Sequence, residues 1–176
     1  EISECLVGSE MCIRDRGKID AGEFCRRMAE AAGRESVSWD EAQHCWLGFI
    51  RDVPVDRLHN LLKLRGEYHV CLLSNTNPFI MAFTRSDKFS DEHRPISDYF
   101  DTLFCSYEMR AYKPEPDIFL KALAADGMKA EETIFVDDSL KNIKAAEALG
   151  IRGLHVAPDE DWMEKLTALL HTCNGL

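Results

Sequence analysis

Beyond Gly66 the chain alternates short apolar runs with amphipathic helical stretches, and this alternation limits the possible folds more than any other feature. Four runs read as strands, over residues 68–73, 102–106, 133–136 and 153–156. They are hydrophobic along their length, with none of the period-two pattern of a half-solvated strand, so both faces of each are to be buried. Between and after them the sequence predicts a helical turn over 78–84 and a charged loop over 85–94. Helices follow over 116–126, closed by Gly127, over 139–149, closed by Gly150, and over 161–170. Buried strands separated by helices imply a parallel sheet covered on both sides. The fold class is therefore α/β, a doubly wound parallel (Rossmann-like) sheet.

The segment before Gly66 has a different texture. Asp20, with Glu23 as its reciprocal partner, opens a helix that Gly33 ends, and Ser38 with Glu41 repeats the arrangement. The second helix carries Trp39, Trp46, Leu47 and Ile50. A third begins near Pro54, carries Leu58, Leu61 and Leu62, and stops at Gly66. No strand separates the first two helices, so residues 18–52 form a helical appendage and 53–176 the sheet-bearing core. Trp39, Trp46 and Phe49 read as the apolar interior of the appendage, not as ligand contacts. Residues 1–17 carry neither helical nor strand period, and the string CLVGSEMCIRDR resembles translated adaptor sequence. They are expected to be non-native or disordered.

With 176 residues, 45% of them hydrophobic, the chain can build one well-buried core and a small appendage. Its net charge of −10 argues against nonspecific nucleic-acid binding, which needs a basic surface. No apolar stretch approaches the roughly 20 residues of a membrane helix, and no signal peptide is evident. The seven cysteines are odd in number, with no C-x-x-C pair, so neither a disulfide framework nor a zinc site is expected. Cys71 and Cys105 read as small core hydrophobes, and a reducing cytoplasmic setting is the default.

Three segments carry candidate chemistry. VCLLSNT ends a strand on Ser74 and Asn75, a hydroxyl and an amide suited to phosphoryl oxygens at the carboxyl end of a parallel sheet. In YKPEPD, Lys113 precedes a proline that disfavours helix, so the lysine stands in a loop as a point charge. In IFVDDS, Asp137 and Asp138 follow an apolar run directly. Two adjacent carboxylates repel one another, and a hard cation such as Mg²⁺, held by one or two carboxylates, waters and a phosphate, offsets that cost. Each segment has a plainer reading: a polar turn, a solvated lysine, an acidic helix start.

Taken in this order, the segments resemble the haloacid dehalogenase superfamily of phosphohydrolases, over roughly residues 18–170. YKPEPDIF and FVDDSLKNIKAAEALG look nearest to its glucose-1-phosphatase-like members and to the N-terminal phosphatase domains of epoxide hydrolases. The resemblance implies that Ser74 and Asn75 hold the transferring phosphoryl group. It further implies that Lys113 neutralises nucleophile and phosphate, and that Asp138 binds Mg²⁺ with Asp137 assisting. Asn142 stands where many relatives carry a further aspartate. Residues 18–52 would be the downstream part of a mobile cap. The substrate would be a small phosphorylated metabolite, and the protein a monomer or homodimer.

The superfamily's first motif, D-x-D at the end of the central strand, supplies the nucleophile and general acid. It should lie upstream of Lys18 and is not there; Asp159-Glu160-Asp161 has the spacing but follows the last strand. The expectation is a fragment without its nucleophile strand, inactive as written. The alternative is a non-catalytic interaction protein of the same fold with a degenerate site. A receiver domain is disfavoured because its acidic pair follows the first strand, and a true dehalogenase because it needs no metal.

Overall fold

The computed structural model describes residues 19–48, 53–158 and 160–173. The expectations for residues 1–17, for Phe49 and Ile50 and for Asp159 lie outside the described residues. Three helices come first: α1 (Ala21–Ala31), α2 (Trp39–Leu47) and α3 (Val55–Arg65). They are followed by β1 (Cys71–Ser74), α4 (Pro78–Thr84), β2 (Thr102–Cys105), the short α5 (Ser106–Met109) and α6 (Pro116–Ala125). β3 (Ile134–Asp137), α7 (Leu140–Glu147), β4 (Arg152–His155) and α8 (Trp162–Cys173) complete the order. Every strand pairing is parallel, β1 with β2 and β3 with β4, so the α/β class read from the alternation holds. The chain divides into two compact units, one ending at Tyr112 and the other beginning at Lys113. Among the described residues no helix is long and apolar enough to cross a membrane.

In the first unit, Asp20 caps α1 by accepting from Glu23 N at 2.8 Å. The reciprocal bond expected of Glu23 is not made. Its carboxylate goes to Arg26 and Arg27, each at 2.7 Å, because a cation three or four residues on binds it more strongly than a neutral amide does. Ser38 and Glu41 do form the full reciprocal box: Glu41 N donates to Ser38 Oγ at 3.2 Å and Ser38 N to Glu41 Oε2 at 2.8 Å.

α1 and α2 pack onto α4 around Phe24, Ala42 and Phe79. Phe79 has no exposed surface, and burying such a ring stabilises by about 1.5–3 kcal/mol. Trp46 joins this cluster at 6.3 Å from Phe24. Trp39 departs from the expected buried position: its ring lies 4.4 Å from Phe79, yet 40% of the residue stays exposed. Gln43 Nε2 adds a polar tie, donating to Phe79 O at 3.0 Å.

β1 starts at Cys71, three residues after the apolar run does. Tyr68 N still bonds back to Leu64 O at 2.8 Å, and the Val70 peptide is held by Asp101. Val70 N donates to Asp101 Oδ2 at 2.8 Å, while Arg65 grips Oδ1 of the same carboxylate at 2.8 Å. A side chain thus supplies the first rung before the backbone ladder begins. β2 closes at Cys105, one residue early, because Ser106 turns into α5. Cys105 is buried, as expected, and burial pushes its thiol up to about 12; Cys71 is half-buried.

In the second unit, α6 buries Ile118, Phe119 and Ala122, and Phe119 meets Phe135 of β3 edge-on at 5.2 Å. α7 buries Ile143 and Ala146. It lies so close to β4 that a Cβ on Gly153 would stand 2.6 Å from Ile143 Cγ2. Gly150, at φ 84°, makes the left-handed turn that ends α7 and returns the chain to β4.

Candidate active site

Ser74 and Asn75 belong to the first unit, and Lys113, Asp137 and Asp138 to the second. Ser74 is the last residue of β1, opposite Cys105 of β2, and Asn75 begins the turn beyond it. That turn is fixed by neutral hydrogen bonds. The fully buried Ser106 accepts from Thr76 N at 3.0 Å and donates to Thr76 O at 3.1 Å, so one hydroxyl satisfies both polar groups of one residue. Asn77 Oδ1 accepts from Phe79 N and Ile80 N at 3.0 and 3.1 Å and starts α4. Both partners escaped the sequence reading. Asn77-Pro78 carries a legible signal, a capping residue before a first-turn proline. Ser106 carries none, since its role depends on a partner thirty residues away.

In the second unit, Lys113 and Asp137 meet. Nζ lies 2.7 Å from Asp137 Oδ2, with only 11% and 7% of the two side chains exposed. Lys113 also sits over the Phe135 ring, 5.4 Å from its centre. The other carboxylate oxygen of Asp137 accepts from Ser139 N and Asn142 Nδ2, each at 2.9 Å. Burial pushes the Asp137 carboxyl up, but Lys113, Asn142 and the Ser139 amide outweigh it and hold the group below the usual aspartate range.

Asp138 contrasts with its neighbour. It is exposed, and among the described residues its carboxylate makes no hydrogen bond or ion pair. Its backbone oxygen instead receives His155 Nε2 at 2.9 Å, another contact without a local sequence signal. Both oxygens of Asp137 are thus engaged within the chain, while a hard anionic oxygen donor is left at Asp138. That donor set fits a small divalent cation completed by water and phosphate.

The family model for haloacid dehalogenase-like hydrolases matches residues 18–150, and this chain belongs to that family. It is 39% identical over 158 residues to D-ribitol-5-phosphate phosphatase of Bacteroides thetaiotaomicron, spanning 90% of this chain and 76% of the relative. Among solved structures, a predicted haloacid dehalogenase-like hydrolase from Porphyromonas gingivalis superposes with a TM-score of 0.89 at 32% identity, over 96% of this chain and 82% of the other. An enzyme of the same family from Bacteroides thetaiotaomicron, in complex with magnesium and inorganic phosphate, superposes at 0.81 with 37% identity, over 90% and 79% of the two chains.

Proposed function

We propose that this chain is the greater part of a magnesium-dependent phosphomonoester hydrolase acting on a small phosphorylated metabolite. The observation that carries the reading is the division of labour at Asp137 and Asp138. The first carboxylate is consumed in bracing Lys113, and the second stands clear with no partner of its own among the described residues. Similarity to a phosphatase named for D-ribitol 5-phosphate favours a sugar or polyol phosphate.

Asp138 would hold Mg²⁺, and Asp137 would assist by holding Lys113 in place. Bound there, the metal would supply charge neutralisation for phosphoryl oxygens. Ser74 and Asn75 would orient those oxygens by hydrogen bonds, and Lys113 would balance the negative charge of nucleophile and phosphate. Hydrolysis would run through an aspartyl-phosphate, with one aspartate attacking in line and a second moving the proton. No D-x-D pair occurs between Lys18 and Ser74, so both aspartates are assigned to residues upstream of Lys18 in a longer polypeptide.

The test is a phosphatase assay with Mg²⁺ on the polypeptide extended upstream through a D-x-D, using para-nitrophenyl phosphate and D-ribitol 5-phosphate. Turnover that falls at least about a hundredfold on Asp138→Asn supports the reading; undiminished turnover overturns it. The lack of a D-x-D between Lys18 and Ser74 leaves a second reading, a non-catalytic protein of the same fold with a degenerate site. Upstream coding sequence that starts in frame without an apolar run ending in D-x-D would select it.

A further inference from the structure

We propose that His155 is a positioning residue for the Asp138 carboxylate, acting through the Asp138 peptide; this rests on Asp138 being the metal ligand. His155 is the last residue of β4 and lies opposite Asp137 in the parallel register. The next rung is Val156 N donating to Asp137 O at 3.2 Å, and there the backbone ladder ends. Ala157 N is already taken by Glu160 Oε2 at 2.7 Å, and Pro158 has no N–H to give. With β4's amides exhausted, the imidazole provides one more rung, Nε2 to Asp138 O at 2.9 Å. A carbonyl oxygen only accepts, so Nε2 carries the hydrogen in this contact.

The consequence for Asp138 follows from peptide planarity. On its amino side, Asp137 is fixed by Lys113 and Asn142. On its carboxyl side, Ser139 N is bound to Asp137 Oδ1, and Ser139 O accepts from Ile143 N at 3.0 Å in α7. The 138–139 peptide plane is held at its N–H by Asp137 Oδ1 and at its C=O by His155, and these two bonds together fix the direction in which the Asp138 Cα–Cβ bond leaves the backbone. Among the described residues the carboxylate has no partner, but its backbone is not left free to turn it.

The experiment is a Mg²⁺ titration of the full chain followed through the Asp138 and Ser139 amides by ¹H–¹⁵N correlation spectra, on wild type, His155→Phe and His155→Gln. Phe keeps a ring at the end of β4 but cannot donate, whereas Gln keeps an N–H. H155F is expected to weaken Mg²⁺ binding about threefold to tenfold, with H155Q within about twofold of wild type. Equal affinity in all three, or equal loss in both variants, overturns the positioning role and leaves the metal reading of Asp138 standing. A wild-type chain whose Asp138 and Ser139 amides ignore Mg²⁺ overturns both. Long-range ¹H–¹⁵N spectra of wild type give an arm that needs no variant: Nε2 of His155 protonated supports the proposal, and a neutral Nδ1–H ring overturns it.

Discussion

Two strand ends, at β1 and at β3, each hand the chain into a turn and then a helix, and they hold that turn with different chemistry. After β1 the turn Ser74-Asn75-Thr76-Asn77 is uncharged, and its fixed bonds come from the buried hydroxyl of Ser106 and the amide oxygen of Asn77. After β3 the turn Asp137-Asp138-Ser139 is acidic, and a nearly buried lysine holds it. Neutral bonds of the first kind add modest stability and are costly only when one partner is removed. A buried ion pair adds little over an apolar pair of the same volume, because desolvation offsets the attraction. Stability alone therefore gives no reason for Lys113 and Asp137 to be charged, whereas the phosphate and metal site proposed above does.

The comparison breaks most visibly at Lys113. Lys113→Ala leaves the Asp137 carboxylate buried without its cation and should cost about 3–5 kcal/mol in urea unfolding; a loss under 1 kcal/mol would mean the carboxylate is solvated after all. Ser106→Ala strands Thr76 N–H and C=O in a buried turn and should cost about 1–3 kcal/mol, with Ser106→Thr recovering part of that loss through its hydroxyl. Asn77→Ala removes the cap of α4 and should cost about 1 kcal/mol, detected as faster amide exchange at Phe79 and Ile80.

Acid sharpens the contrast further. Asp137 titrates below its usual value of 3.8 in the folded chain, so its contribution is whole above that pH and is lost as pH falls through the lowered folded value. The exposed Glu41 cap behaves the same way, intact above 4.5 and lost as pH approaches about 2. The Ser106–Thr76 clasp contains no titrating group and should show no slope of its own. Stability curves of wild type and Asp137→Asn that run parallel below pH 4 would contradict the assignment.

Much of the fold was legible because its signals are local. Continuous apolar runs gave the four strands, though β1 begins three residues later and β2 ends one residue earlier than the runs suggest. At both places a side chain, Asp101 or Ser106, takes over from the backbone ladder. Gly150 was readable as a helix stop because only its backbone freedom suits the left-handed turn. The Asp20–Glu23 box failed because Arg26 and Arg27 compete for the same carboxylate, a contest that residue spacing alone does not decide.

The amino-acid order by itself determined which groups stand at the strand ends: Ser74 and Asn75 after one apolar run, Asp137 and Asp138 after another, and Lys113 before a proline. Those placements follow from hydrophobic periodicity and from backbone rules that reach only a few residues. Which carboxylate Lys113 meets, which one stays clear, and that His155 and Ser106 secure the two turns were decided by tertiary structure. The physical reason is that each of these contacts joins residues 17 to 30 positions apart, and a hydrogen bond selects its partner by distance and direction in space, which no local pattern encodes.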